Sequence, residues 1–381
     1  MTQHVEKERV PFLLVSGGTG GHLWPAIAFG GWMERHCRGH QPVFLSGQRK
    51  LEQEIFQACG VPYLSLNIVG SPLDFSATNL LQRWYALGGA VRTSVKLLKE
   101  RHFGAVLLFG GYVSFPMLLA ALLCRVPVAI HEQNAYAGKV TRLAAFFRVP
   151  VLSGWSACRP LSRDFFTCVG VPVRRFRHLQ NSEAWNTLVR GVVFREGPTI
   201  LIFGGSLGSR KLEQLVRNIA QLPPFREWTF LFVTKGDNLP KVVGNCVFVP
   251  QRWDPSPFYS LATAAIVRGG ASTLAEMKDQ RIPCVVVPWV HASDAHQLWN
   301  ARAFVDAGGG VLWQENESMA AFGAALLHVV KTMHGRTGTS NDTTSSESER
   351  ICEHLYEKVI ALTMKGDVPN GRTRTHAQEP S

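Results

Sequence analysis

The chain alternates short, uninterrupted apolar runs with longer stretches whose apolar positions recur at helical spacing. PFLLV at 11–15 leads into SGGTGGH, VLLF at 106–109 into GGYVSFP, and VPVAI at 126–130 into HEQNAYAG. The second half repeats the arrangement. TILIF at 199–203 leads into GGSLGSR, AAIV at 264–267 into RGGAST, and PCVVV at 283–287 into PWVHASDAH. A strand that is apolar throughout has to be covered on both faces, so such strands alternating with helices predict parallel sheets between helical layers. Each half opens on the same device, an apolar strand ending in two glycines. That internal repeat predicts an α/β protein of two Rossmann-like domains. A proline and a basic cluster in TCVGVPVRRFRH break the alternation near Gly170–Arg174. The first domain is therefore expected over residues 1–172 and the second over 173–334. GRTGTSNDTTSSESER at 335–350 is almost free of apolar side chains and reads as a mobile loop. Ile351, Leu355, Val359 and Leu362 then recur at helical spacing. They predict a final amphipathic helix over 351–364, packed back on the first domain, and residues 365–381 read as a disordered tail.

Length and composition narrow the classes. At 381 residues the chain exceeds what one hydrophobic core usually holds, which agrees with two domains. Apolar residues make up 46% and charged ones 18%, a globular and not a disordered composition. No apolar run reaches the roughly 20 residues that span a bilayer. MTQHVEKERV carries charge and leads only into a short strand, so it does not read as a secretory signal. Eight cysteines without a CxxC pair suit reduced thiols, not a disulfide framework or a zinc site. The net charge of +12 points to anionic partners: nucleic acid, phosphorylated small molecules or a membrane surface. Ten tryptophans add weight to the membrane surface.

The glycine turns carry the candidate chemistry. Thr19, Gly20 and Gly21 follow the first strand and enter a helix, so the backbone can approach a ligand closely while the helix directs its free N–H groups there. The segment is neither GxGxxG nor a Walker loop. Pro25 would be tolerated near the start of that helix. His22 adds a titratable group at the strand's carboxyl end, where α/β proteins bind ligands. Ser206 sits in the equivalent turn of the second half. Two such turns facing each other across a cleft could hold a diphosphate. In a third turn, Ala271, Ser272, Thr273, Leu274, Ala275 and Glu276 enter a helix, and Glu276 could accept two hydrogen bonds from a ribose diol. His291, Asp294, His296, Gln297 and Asn300 cluster after the PCVVV strand. Their HxxDxH spacing invites a metal, but no HExxH or second Cys/His pair supports one, and these side chains suit sugar hydroxyls better.

Taken in order, GGTGGH, GGYVSFP, HEQNAYAG, GVPVR, GGSLGSR, RGGASTLAE and DAHQLWNA resemble the MurG family of peptidoglycan glycosyltransferases over residues 11 to 311. The resemblance implies a GT-B fold, two Rossmann-like domains whose parallel sheets face each other across a cleft. It implies inverting transfer of N-acetylglucosamine from UDP-GlcNAc to the C4 hydroxyl of the muramoyl sugar of lipid I, giving lipid II, without a cofactor or nucleotide-bound metal. Residue by residue, Thr19, Gly20 and Gly21 match the loop that contacts the donor, and His22 matches the proposed general base. Glu132 and Asn134 match a segment lining the cleft, with Asn134 near the donor sugar. Arg174 and Ser206 match diphosphate contacts, and Arg252 falls where uracil is held through main-chain groups. Ala271 to Glu276 match the uridine pocket, with Glu276 on the ribose, while His296 and Gln297 match the pair that reads the sugar hydroxyls. The chain departs from the family at Val171, where GNPVR reads GVPVR. It departs again at Leu207, where GGSQGA reads GGSLGS, and at Val233–Gly236, where HQxG reads VTKG.

A membrane role has its own sequence argument. Leu80, Leu81, Trp84, Tyr85, Leu87, Val91, Val95 and Leu98 lie at mostly helical spacing, flanked by Arg83, Arg92, Lys96, Lys99 and Arg101. Such a segment either packs on the sheet or lies in an anionic interface. With the resemblance it implies peripheral attachment to the cytoplasmic face of the inner membrane through Leu80, Leu81, Trp84 and Tyr85, and no nucleic-acid partner. Three other readings stay open: a GT-B transferase with another donor or acceptor, a dinucleotide-dependent oxidoreductase, and a non-catalytic membrane scaffold. The oxidoreductase lacks GxGxxG followed by an acid about 20 residues on.

Overall fold

In the computed structural model the apolar runs form two sheets. Described are residues 9–68, 80–204, 210–234, 240–289, 295–333 and 347–366, of which 80–84, 332–333 and 365–366 are described as backbone only. The first sheet contains β1 (Val10–Ser16), β2 (His40–Ser46), β3 (Tyr63–Ser65), β4 (Ala105–Gly110), β5 (Val128–Glu132), β6 (Val151–Ser153) and β7 (Phe166–Cys168). Their order is β3-β2-β1-β4-β5-β6-β7, every pair parallel. The second contains β8 (Thr199–Phe203), β9 (Thr229–Thr234), β10 (Lys241–Val243), β11 (Cys246–Pro250), β12 (Ala264–Val267), β13 (Cys284–Val286) and β14 (Gly310–Leu312). Its order is β10-β11-β9-β8-β12-β13-β14, with only β10 antiparallel. Both sheets therefore carry the doubly wound order, with the first strand central and the chain reversing direction beside it. Ligands of such sheets bind at that switch point. Here it lies after β1 and β4 in one domain and after β8 and β12 in the other.

The helices are α1 (Gly20–His36), α2 (Lys50–Cys59), α3 (Leu80–Glu100), α4 (Ser114–Cys124), α5 (Lys139–Phe146), α6 (Asn181–Leu188), α7 (Arg210–Ala220), α8 (Ser256–Leu261), α9 (Ala271–Asp279), α10 (His296–Asp306), α11 (Met319–His328) and α12 (Glu347–Gly366). Strand alternation assigns side chains to layers. On β1, Leu13 and Val15 pack beneath α3, α4 and α5 with Ala90, Met117 and Ala144. Phe12 and Leu14 face the other way, against Phe29 of α1 and Phe56 of α2. Removing most of Leu14, which is wholly buried, would cost about 2–5 kcal/mol.

The final helix differs from the sequence reading at its start. It begins at Glu347, so residues 347–350 of the expected loop are helical, because the turn is anchored at long range. Ser348 Oγ donates to Val173 O at 2.7 Å and accepts from Val173 N–H at 2.9 Å, while its own N–H donates to Asp279 of α9. Lys278 and Glu347 add an ion pair at 2.8 Å. From there Cys352, Leu355 and Val359 enter the core of the first sheet, so α12 ties the two domains together. The helix runs to Gly366, past 364. The rest of the expected loop, 335–346, and the tail from 367 lie outside the described residues.

Candidate functional site

The turn after β1 is held from beneath by a carboxylate. Glu52 is wholly buried and accepts the Gly18 N–H at 2.6 Å, the Arg49 N–H at 2.8 Å and the Tyr112 hydroxyl at 3.1 Å. Burial, and after it the charge of Glu52, pushes the Tyr112 phenol up to about 12. The Gly18 N–H is thus committed to Glu52 and unavailable to a ligand. The turn after β4 interlocks with it. Gly111, at φ +83°, lies so close to Gly17 that a Cβ would sit 2.0 Å from the Gly17 carbonyl oxygen, so only glycine fits.

Helix α1 then opens at Gly20, with Thr19 as a cap that makes no side-chain bond. Pro25 lies inside the helix, past the first turn. Having no N–H, it leaves the carbonyl of Gly21, four residues back, without its helical donor. Ser272 of the second domain fills that vacancy, its hydroxyl donating to Gly21 O at 2.9 Å. Ser272 lies in the first turn of α9, so the amino-terminal ends of α1 and α9 meet across the cleft. Each end carries a partial positive charge, and their convergence favours an anion between them.

His22 sits half-buried over Gly110, its Nδ1 3.0 Å from Gln133 Oε1. Gln133 Nε2 lies 3.1 Å from both His131 Nδ1 and His131 O, and His131 Nε2 lies 2.8 Å from Gly170 O. Gln133 and His131 are almost completely buried. Burial is the main cause that lowers the His131 pKa to about 4, so its ring is neutral near neutral pH.

Glu132 and Asn134 belong to the frame of the cleft. Glu132 accepts four bonds: from the Asn134 N–H and amide at 3.0 Å each, from the Gly138 N–H at 2.9 Å and from the Thr141 hydroxyl at 2.5 Å. With its oxygens so engaged it is a structural acceptor, poorly placed to take up a proton. Asn134 Oδ1 accepts from Asn300 Nδ2 of α10 at 3.1 Å. Asn300, fully buried, also donates to Gly269 O and accepts the Ala135 N–H at 2.7 Å. Asn300, read from sequence as one of a sugar-binding cluster, joins the domains instead.

In the second domain Glu276 is buried, and its Oε2 accepts the Tyr259 hydroxyl at 2.5 Å. Its Oε1 lies 3.4 Å from Arg174 Nη2, a long contact. Burial raises the Glu276 pKa, with Arg174 and Tyr259 opposing it. Arg174 lies over the Trp24 ring at 3.5 Å and donates to Trp253 O at 3.0 Å. Arg252 is exposed, with Nη1 3.5 Å from Thr187 O. Gln297 Oε1 accepts the Trp289 N–H at 3.0 Å, and His296 opens α10. Gly269 passes the Gln297 carbonyl so closely that a Cβ would lie 2.2 Å from its oxygen, which fixes the position of α10 against the turn after β12.

The glycosyltransferase family 28 N-terminal domain matches residues 12–153, and the glycosyltransferase family 28 C-terminal domain matches residues 199–354. The chain belongs to this family, in its MurG group. It is 32% identical over 333 residues to the UDP-N-acetylglucosamine–N-acetylmuramyl-(pentapeptide) pyrophosphoryl-undecaprenol N-acetylglucosamine transferase of Desulfotalea psychrophila, covering 83% of this chain and 86% of that protein. To the Myxococcus xanthus protein of the same name it is 28% identical, over 95% of this chain and 96% of the other. The crystal structure of Acinetobacter baumannii MurG has the same fold. It superposes with a TM-score of 0.63 at 21% identity, covering 93% of this chain and 99% of that one.

Within this family 28 fold, the structure brings Thr19, Gly20, Gly21, His22, Asn134, Arg174 and Ala271–Glu276 to the meeting of the two switch points, with His296 and Gln297 at the start of α10. Ser206 lies outside the described residues, as do His291 and Asp294. Of the α3 positions, Leu80, Leu81 and Trp84 are described only as helical backbone, and the Tyr85 side chain is 88% exposed. Sequence reading passed over Glu52, Tyr112, Trp24, Tyr259 and the pair Gln133–His131. A signal existed only for that pair: two polar side chains in the HEQN run that ends an otherwise apolar strand.

Proposed function

We propose that the protein transfers N-acetylglucosamine from UDP-GlcNAc to the C4 hydroxyl of the muramoyl sugar of lipid I, forming lipid II with inversion at C1. The observation that carries this reading is the meeting of the α1 and α9 amino termini through Ser272 and Gly21, with His22 on the first-domain side and Glu276 on the second. The paired positive ends suit the donor diphosphate, and they would stabilise the charge that develops on UDP as the C1–oxygen bond breaks. His22 Nε2 takes the proton from the acceptor hydroxyl as its oxygen attacks C1, and the bonding pair leaves with the diphosphate.

The remaining assignments follow the same division. Glu276 Oε1, held among the described residues only by the long contact to Arg174, is the oxygen for the ribose diol. Arg174, Ser206 and the Thr19–Gly21 turn contact the diphosphate. Ala271–Ala275 line the uridine pocket and Arg252 marks the uracil edge, while His296, Gln297 and Asn134 face the sugar. Lipid I is presented at an anionic membrane, on the cytoplasmic face of the inner membrane. In support, Tyr85, Leu123 and Phe146 are each more than 70% exposed on the α3–α4–α5 layer, which also carries Arg92, Lys96 and Lys99. No helix among the described residues is long and apolar enough to cross a membrane, so contact would be peripheral.

Calorimetric titration with UDP-GlcNAc, UDP-glucose and NAD in parallel tests the donor. UDP-GlcNAc should bind and NAD should not. Binding of NAD without UDP-GlcNAc would overturn the reading.

A further inference from the structure

We infer that Gln133 is a positioning residue that fixes the tautomer of His22, holding the proton on Nδ1 and the lone pair on Nε2. The argument starts at Gly170, whose carbonyl can only accept. The His131 Nε2 that lies 2.8 Å from it therefore carries the ring's hydrogen. A neutral ring protonated on Nε2 has its lone pair on Nδ1, and this atom faces Gln133 at 3.1 Å. Only the amide NH2 can meet a lone pair there, and its second hydrogen meets the His131 carbonyl, also at 3.1 Å. The opposite orientation would set the amide oxygen against two acceptors in a site almost closed to water. Gln133 Oε1 is thereby turned to His22. A carbonyl oxygen 3.0 Å from Nδ1 requires a hydrogen on Nδ1. The remaining nitrogen of His22, Nε2, has no hydrogen-bond partner among the described residues and is the one left to take a proton.

The chain Gly170–His131–Gln133–His22 thus carries proton placement from the domain junction to the cleft through groups that are all uncharged. When His22 accepts a proton on Nε2, the Nδ1–H bond to Gln133 becomes charge-assisted and stronger. The inference rests on the reading of His22 as base, and the test separates the two.

Nitrogen-15 spectra of uniformly labelled protein at pH 8.5, with the His22 signals identified by their loss in His22→Ala, report which ring nitrogen bears hydrogen. Wild type should show His22 protonated on Nδ1. Gln133→Met keeps the length of the side chain and removes its polar atoms, so His22 should move toward the Nε2–H form. Turnover should then fall roughly 10–100-fold, short of the roughly 10²–10⁴ lost with a general base itself, while UDP-GlcNAc affinity stays within twofold. A wild-type His22 protonated on Nε2 would overturn both the inference and the base assignment, whereas a tautomer unchanged in Gln133→Met would overturn the inference while leaving the base assignment intact. A tautomer that shifts without loss of turnover would bear out the control of the tautomer by Gln133 and overturn the role of His22 as base. The wild-type spectrum decides the first point even if the variant does not fold.

Discussion

His131 carries a pH dependence that can be worked from its surroundings. In the unfolded chain its imidazole takes up a proton near 6.5, whereas in the fold, burial at the end of β5 delays protonation to about 4. The Gly170 carbonyl and the charge of Glu132 favour the imidazolium but are outweighed by desolvation. Between those two values the unfolded state binds more protons, so stability rises with pH across the window and is lost as pH falls through it. Relative to pH 8, the loss from this group should be about 2 kcal/mol at pH 5 and about 3 kcal/mol at pH 4. The perturbation is His131→Asn, which removes the titrating ring. The assay is urea unfolding of wild type and variant side by side from pH 8 to pH 4, where groups common to both cancel in the difference. At pH 8 the wild type should be the more stable, because the variant disrupts the buried bonds to Gly170 and Gln133. The gap should then narrow by about 2 kcal/mol at pH 5, with unchanged denaturant slopes. A gap that stays constant would mean that His131 titrates alike in both states. The desolvation that keeps the ring neutral below its ordinary range would be refuted with it.

Two further outcomes bear on the donor site and the membrane. Glu276→Ala should raise the Michaelis constant for UDP-GlcNAc at least tenfold, about 1.4 kcal/mol, and an unchanged constant in a folded variant would remove Glu276 from the nucleotide site. Replacing Leu81 and Trp84 together by Ser should release the protein from vesicles containing anionic lipid while UDP-GlcNAc still binds. Equal sedimentation of variant and wild type would place both side chains in the core.

The repeated strand–glycine pattern was enough to read the two doubly wound sheets, because a strand buried on both faces shows that burial in its own composition. Short strands such as β3 and β7, three residues each, gave no such signal. The site was legible as residue types and not as pairings. His22 meets Gln133 across 111 positions, Arg174 meets Glu276 across 102, and Asn300 meets Asn134 across 166. Nothing local to either partner announces such contacts. Pro25 is instructive in this respect. As a sequence feature it reads as tolerated near a helix start, whereas the carbonyl it leaves open is the one that receives Ser272. The start of α12 was misplaced for a similar reason, since the serine that anchors it finds its partner at Val173.

The central claim is the transfer itself, and it is tested most directly with purified protein, UDP-GlcNAc and a soluble analogue of lipid I. Mass spectrometry should show the acceptor gaining one N-acetylhexosamine for each UDP released, and proton NMR of the product should show a β linkage formed from the α-linked donor. Release of UDP without a heavier acceptor, or retention of the α configuration, would contradict the account.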